Sequence, residues 1–245
     1  MSEFPSVSCY CATYGRTKLL MESVNCFLNQ DYKGKKELII LNDFDQQELF
    51  FDHPEIKVIN SKKIKKLSDK FNECISYCSG DYIFVWEDDD IFLPWRISFS
   101  INNLDKNGCF HTRQAFKEMG HKKIVFSDNL HHSALCMHRD CWEKIGFYSE
   151  SDGTTIDTLL FNKIKDEYGI IHQQINNENI YNIYRYETTN HYHGSILGQN
   201  FSERALIYLQ EKIKNKEEPT ERIIIKPYWK YDYVETVNLF LKNSK

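Results

Sequence analysis

Short apolar runs alternate with helical patterns through roughly the first hundred residues, and this alternation restricts the fold more than any other feature. Ser6 to Thr13, Glu37 to Leu41, Ile56 to Ile59 and Tyr82 to Trp86 read as strands. Between them, Thr17 to Asn29 carries Leu19, Leu20, Val24, Phe27 and Leu28 at helical spacing, and Leu67 to Cys78 is a second helical stretch closed by Ser79-Gly80-Asp81. Pro94 to Leu104 reads as the next helix. Strands joined by such long helical crossovers predict parallel βαβ units, hence an α/β fold with a mostly parallel central sheet flanked by helices.

At the carboxyl end of the Tyr82 to Trp86 strand stands an acidic run, Glu87-Asp88-Asp89-Asp90, followed by Ile91-Phe92-Leu93-Pro94. Adjacent carboxylates repel, and desolvating them without a counter-charge costs stability. In an open α/β sheet the ligand crevice lies outside the carboxyl ends of the strands, where this run falls. A hard divalent cation shared with substrate phosphates suits such an oxygen-rich cluster. A solvated acidic turn is the plain alternative.

After about Gly108 the pattern changes. Phe110 to Phe116 and Lys123 to Phe126 predict a hairpin around Met119-Gly120, and Ser133 to His138 a strand followed by a short helix from Asp140. Thr154 to Tyr168 is amphipathic, Ile180 to Tyr186 a late strand, and Phe201 to Lys214 a late helix. Without a linker or repeat, the 245 residues read as a single domain whose two halves share one sheet: about 1–107 for a nucleotide, about 108–218 for an acceptor, with 219–245 as a tail that packs on the core.

The net charge of −4 argues against nucleic acid as a partner. The eight Cys form no paired CxxC zinc pattern and mostly lie in apolar runs, which predicts reduced thiols. No run approaches a membrane span, and Met1-Ser-Glu-Phe-Pro lacks the parts of a signal peptide, so a cytoplasmic location is expected, with peripheral membrane contact through the aromatic tail left open.

Taken in order, the motifs carry a resemblance. The first strand ends at Thr13-Tyr14-Gly15-Arg16, the first helix at Gln30-Asp31-Tyr32, and the second strand at Asn42-Asp43; Gly80-Asp81-Tyr82-Ile83 then leads into Glu87-Asp88-Asp89-Asp90 and Leu93-Pro94. This set resembles the family 2 glycosyltransferases, closely over about the first hundred residues. The resemblance implies the GT-A (Rossmann-like) fold, a nucleotide-diphosphate sugar donor of UDP, GDP or dTDP type, Mn²⁺ or Mg²⁺, and a glycan or other hydroxyl acceptor. It implies that Ala12, Thr13, Tyr14, Arg16, Asp43, Lys70, Asp88 and Asp89 face the donor. Asp89 matches the last acid of the DxD motif, Glu87 the first acid in one register, and Asp89, Asp90 and His193 are the expected metal ligands. Asn42 and Phe44 depart from the Asp-Asp and Gly usual there. Asp157 matches the helix-start acid that serves as catalytic base, with Asp152 as the rival; a helix-start acid stabilised by the macrodipole is the plain alternative.

Two other functions are weighed against this one. A sugar-nucleotide pyrophosphorylase needs a Gly-rich phosphate loop near the N-terminus, where residues 9–20 hold only Gly15. A non-catalytic nucleotide- or sugar-binding module would not need the acidic run and Asp157 together.

Overall fold

The computed structural model of the chain describes residues 4–120, 122–150, 155–185 and 201–244, with backbone alone at 201–205. A central sheet is built from β1 (Val7–Thr13), β2 (Lys36–Asn42), β4 (Ile56–Asn60) and β5 (Tyr82–Val85), all parallel, in the order β4-β2-β1-β5. Two strands of the second half extend it: β10 (Cys136–His138) runs antiparallel beside β5, and β7 (Cys109–Phe110) beside β10. The fold class expected from the sequence is the one observed.

The central strands are apolar at nearly every position because both faces of the sheet are covered. Val7, Cys9 and Cys11 of β1, Leu38 and Ile40 of β2 and Phe84 of β5 face a cluster shared with α1 (Thr17–Leu28). Tyr10, Ile39, Leu41, Ile83 and Val85 face the opposite cluster, with α2 (Leu67–Ser76), α4 (Arg139–Lys144) and α5 (Ile156–Tyr168). Each fully buried large side chain contributes about 1.5–3 kcal/mol by area. All eight cysteines are buried free thiols that pack as small hydrophobes.

The two halves share the central sheet only through β7 and β10. A separate four-stranded sheet has the order β6-β11-β8-β9, from β6 (Ile91–Phe92), β8 (Gln114–Glu118), β9 (Ile124–Asp128) and β11 (Asn182–Tyr184). The hairpin is β8 with β9 alone; the residues before it, Cys109–Phe110, join the central sheet instead. The expected strand from Ser133 begins later, because His132–Ala134 forms a 3-10 turn. The tail packs as expected, and more regularly: β12 (Glu221–Ile224) pairs in parallel with β3 (Gln47–Phe50), and α7 (Tyr233–Asn243) buries Tyr233 and Val237 in the core. Two further helices, α3 (Arg96–Asn102) and α6 (Phe201–Lys214), complete the elements. No helix among the described residues is long and apolar enough to cross a membrane.

Two glycines are required by geometry. A Cβ on Gly80 would lie 2.6 Å from the Ser8 backbone nitrogen, so only glycine lets the turn before β5 lie against β1. Asp81 then accepts from the Ser6 amide at 2.9 Å and hydroxyl at 2.7 Å, fixing where β5 starts relative to β1. Gly15, at φ +65°, turns the chain out of β1, and a Cβ there would meet Leu209 of α6 at 2.3 Å.

Candidate active site

The carboxyl ends of β1, β2 and β5 lie side by side, and the loops leaving them bring the donor-side residues together. Ala12 and Thr13 end β1 opposite Leu41 and Asn42 of β2, and the Trp86 amide donates to the Tyr10 carbonyl at 2.9 Å, so the acidic run leaves β5 beside the Tyr14-Gly15-Arg16 turn. Arg16 answers the charge of that run. Its Nε donates to Asp88 Oδ2 at 3.0 Å, Nη2 bonds the other Asp88 oxygen, and Nη1 lies 2.6 Å from Asp89 Oδ2. Burial lifts the Asp88 carboxyl above its ordinary range, opposed by Arg16 and reinforced by Asp89.

Lys70 and Asp43 form a second, buried pair. Lys70 Nζ bonds Asp43 Oδ1 and donates to the Thr13 carbonyl at 2.7 Å, while the Ile64 amide donates to Asp43 Oδ2 at 3.0 Å. In this arrangement the Lys70 ammonium fixes Asp43 and the end of β1. Tyr14 packs edge-on against Phe44 at 5.0 Å, and its hydroxyl is pushed up to about 12 by burial, with Asp43 and Asp45 adding. Asn42, the departure from the acidic pair, is structural: its amide donates to Gln47 at 2.8 Å and Asn60 at 3.0 Å and accepts from the Phe44 amide.

Within the acidic run, Glu87, Asp89 and Asp90 each offer a carboxylate oxygen, all within 4.8 Å of one another. Hard oxygen donors at such spacing fit Mg²⁺ or Mn²⁺. This grouping takes in both expected ligands, Asp89 and Asp90, and adds Glu87, the first acid of the DxD register; Asp88 turns away to Arg16. Asp90 is held by the Ser133 hydroxyl at 2.8 Å and the Arg185 amide at 3.2 Å. Burial, then the like charges of Glu87 and Asp89, push its carboxyl well above the usual range. His193 and Asp152 lie outside the described residues.

Asp157 sits in the first turn of α5, with 46% of its side chain exposed, across from the acidic run. His132 stands between them. Its Nδ1 is 2.8 Å from Glu87 Oε1 and 3.6 Å from Asp157 Oδ1, while Nε2 bonds the Tyr148 hydroxyl, which in turn bonds that of Tyr10. Burial alone would lower the imidazole; Asp157 and Glu87 outweigh it and hold His132 above its ordinary value. Sequence reasoning missed this junction, which forms between residues far apart in the chain.

A second network was also missed. Arg185, buried, donates from Nε to the Asp89 carbonyl at 2.5 Å and pairs through Nη1 with Glu22 at 2.8 Å; Tyr233 donates to Glu22 at 2.6 Å. The Arg185 guanidinium thus spans Glu22 and the acidic turn. Glu22 had a legible signal. It falls three residues after Leu19 and four before Cys26, on the apolar stripe of α1, where a charge must find a buried partner.

Residues 8–129 match the family model described as Glycosyl transferase family 2. EpsE of Bacillus subtilis (strain 168), whose name assigns it provisionally to the glycosyltransferases, is 31% identical over 136 residues, covering 52% of this chain and 46% of EpsE. Two solved structures share the fold. TarS residues 1–349 of S. aureus, in complex with UDP-GlcNAc, gives a TM-score of 0.58 at 12% identity, over 80% of this chain and 60% of that one. The mannosyltransferase PcManGT of Pyrobaculum calidifontis, in complex with GDP-Man and Mn²⁺, gives 0.58 at 13%, over 88% and 65%. The chain therefore spans less than two thirds of the length of each.

Proposed function

Given that the chain belongs to glycosyl transferase family 2, we propose that it is an inverting, metal-dependent transferase that moves a sugar from a nucleoside-diphosphate donor to an acceptor hydroxyl. The observation that carries this reading is the convergence of the Glu87 and Asp157 carboxylates on one nitrogen, Nδ1 of His132, beside the Asp89 and Asp90 carboxylates. Donor complexes of similar proteins, UDP-GlcNAc with TarS and GDP-Man with PcManGT, support the choice of donor class.

Ala12, Thr13, Tyr14 and Asp43 line the nucleotide end, with Lys70 holding Asp43 and the Thr13 carbonyl in register. Asp88, paired with Arg16, lies near the ribose. Glu87, Asp89 and Asp90 would hold Mn²⁺ or Mg²⁺, with His193 as a further ligand, and the cation would supply Lewis-acid stabilisation of the charge on the departing diphosphate. Asp157 takes the proton of the acceptor hydroxyl as its oxygen bonds the anomeric carbon. The bond from that carbon to the phosphate oxygen breaks, and its electron pair leaves with the nucleoside diphosphate. One displacement from the opposite face inverts the anomeric centre. In this division residues 1–107 serve the donor, 108–218 a glycan or other hydroxyl acceptor, and 219–245 brace the donor end. The free thiols support a reducing, cytoplasmic setting.

Calorimetric titration with UDP, GDP and dTDP, each with Mn²⁺ and with EDTA, tests the donor half of the reading. Metal-dependent binding of one nucleotide, lost in Asp89→Ala, is expected, and binding of none would refute it. Asp157→Asn tests the base: the variant binds the same nucleotide with unchanged affinity but no longer releases it from the corresponding donor sugar.

A further inference from the structure

We propose that the groove between β9 and residues 172–180 is a non-catalytic binding site for a neutral saccharide. The cavity measures about 270 Å³, and Gln114, Phe126, Asp128, Gln174, Asn177 and buried Ile180 line it. In the β8–β9 ladder Gln114 stands opposite Asp128 and Phe116 opposite Phe126, so these four side chains share one face of the second sheet. Phe126 is backed by Phe116 at 5.6 Å and Phe240 at 5.0 Å, yet is 43% exposed. The facing wall is irregular but anchored. Gln114 donates to the Ile175 carbonyl at 2.8 Å and accepts from the Ile175 amide at 2.6 Å. The Gln173 amide donates to the His111 carbonyl at 2.8 Å, and its side chain to the Asn103 carbonyl at 2.8 Å. Walls held in this way cost little ordering when a ligand arrives.

The lining selects the occupant. Gln114 is committed to the backbone, whereas the side chains of Gln174 and Asn177 make no hydrogen bond among the described residues. Each amide offers two donor hydrogens and an acceptor oxygen. Asp128 gives one carboxylate oxygen to Arg113 at 2.8 Å and has a second for a ligand. Its charge is answered by that pair, so the groove has no net pull on an anion or a cation. A pyranose meets these terms: its C–H face packs on the Phe126 ring, and its hydroxyls both donate and accept. The Ser127 hydroxyl turns the other way, to His131 at 3.3 Å, the residue before the His132 that stands beside Glu87 and Asp157. The sheet thus stands between the groove and the reacting centre, and a saccharide in the groove is held rather than transformed. That it is a remote unit of the acceptor glycan rests on the reading of the chain as a transferase; the binding itself does not.

¹H–¹⁵N spectra of the Gln174 and Asn177 side-chain amides, recorded without nucleotide or metal, test the site. The probes are the methyl glycosides of glucose, galactose and mannose, N-acetylglucosamine, and inorganic phosphate. At least one sugar is expected to shift both amides saturably in the millimolar range, and phosphate neither. Asn177→Ala should weaken that sugar about fivefold, the worth of one neutral hydrogen bond, at unchanged Tm, because Asn177 is exposed on a 3-10 turn. Phe126→Ala should weaken it about three- to tenfold, and Phe126→Tyr, which keeps the ring, should not. No sugar shifting either amide, a shift with phosphate, or wild-type affinity in both alanine variants would overturn the proposal. So would a sugar titration abolished by UDP or GDP with Mn²⁺, which would put the sugar in the donor site. Inactivity or full activity of Asp157→Asn leaves these titrations untouched, so the transferase reading and this one fail separately.

Discussion

Arg16→Ala removes the cation that holds the acidic turn together, and its consequences differ with and without a divalent metal. The guanidinium is bound to both oxygens of buried Asp88 and to Asp89, and 19% of its side chain is exposed. Breaking a buried ion pair by removing one partner costs about 3–5 kcal/mol, because a charge is left unpaired. The partial exposure of Arg16 favours the lower figure, about 3 kcal/mol. For a chain of this size each kcal/mol moves Tm by about 2–4 °C, so in EDTA the variant should melt about 6–12 °C below wild type. A cation that binds only the folded state stabilises by about 2.7 kcal/mol at a hundred times its Kd. In wild type it must compete with Arg16 for Asp89, and the variant removes that competitor. Mn²⁺ should therefore raise the Tm of Arg16→Ala more than that of wild type and narrow the gap between them. Differential scanning fluorimetry across a Mn²⁺ series measures both shifts. Equal Mn²⁺ shifts in the two proteins would refute the shared-carboxylate reasoning, and a variant as stable as wild type in EDTA would refute the ion-pair cost.

Buried His111 gives a pH signature: burial, the first cause, lowers it to about 3, with the His131 carbonyl opposing. Its folded value lies below its unfolded one, so stability is lost as pH falls from about 6.5 towards 3, at about 1.4 kcal/mol per pH unit, and His111→Gln should flatten urea-unfolding stability across that window. Gly15→Ala should cost about 1–2 kcal/mol for the left-handed backbone alone, with more as Leu209 is displaced, read as a drop in the urea midpoint together with weakened nucleotide binding; an unchanged midpoint would show that the turn does not need glycine.

The parts legible in the sequence are those whose causes are local or periodic. β1, β2 and β5 declare themselves as unbroken apolar runs because both their faces are covered, and α1 and α2 through helical spacing. The acidic run and Asp157 could be read because each lies at an element boundary where a charge is conspicuous. β3 and β12 were missed since four-residue strands with exposed alternate positions exist only through each other, across more than 170 residues of chain. His132 was missed for a similar reason. A histidine doublet ahead of a strand looks like any polar turn until Glu87 and Asp157 are brought to one nitrogen. The departure at Asn42 was visible, but its use, bonding Gln47 and Asn60, depends on a neighbouring strand and loop.

The contact of Tyr233 with Glu22, and through Arg185 with the Asp89 carbonyl, has a consequence for synthesis. The residues proposed to face the donor all lie within the first ninety positions, yet the brace beneath them arrives only with α7. A nascent chain still attached at residue 220 has every donor-facing side chain but leaves Glu22 without its hydroxyl partner and β3 without β12. The turn that gathers the acidic residues therefore reaches its final form only once α7 has been made, so a truncation before Tyr233 acts at the opposite end of the sequence.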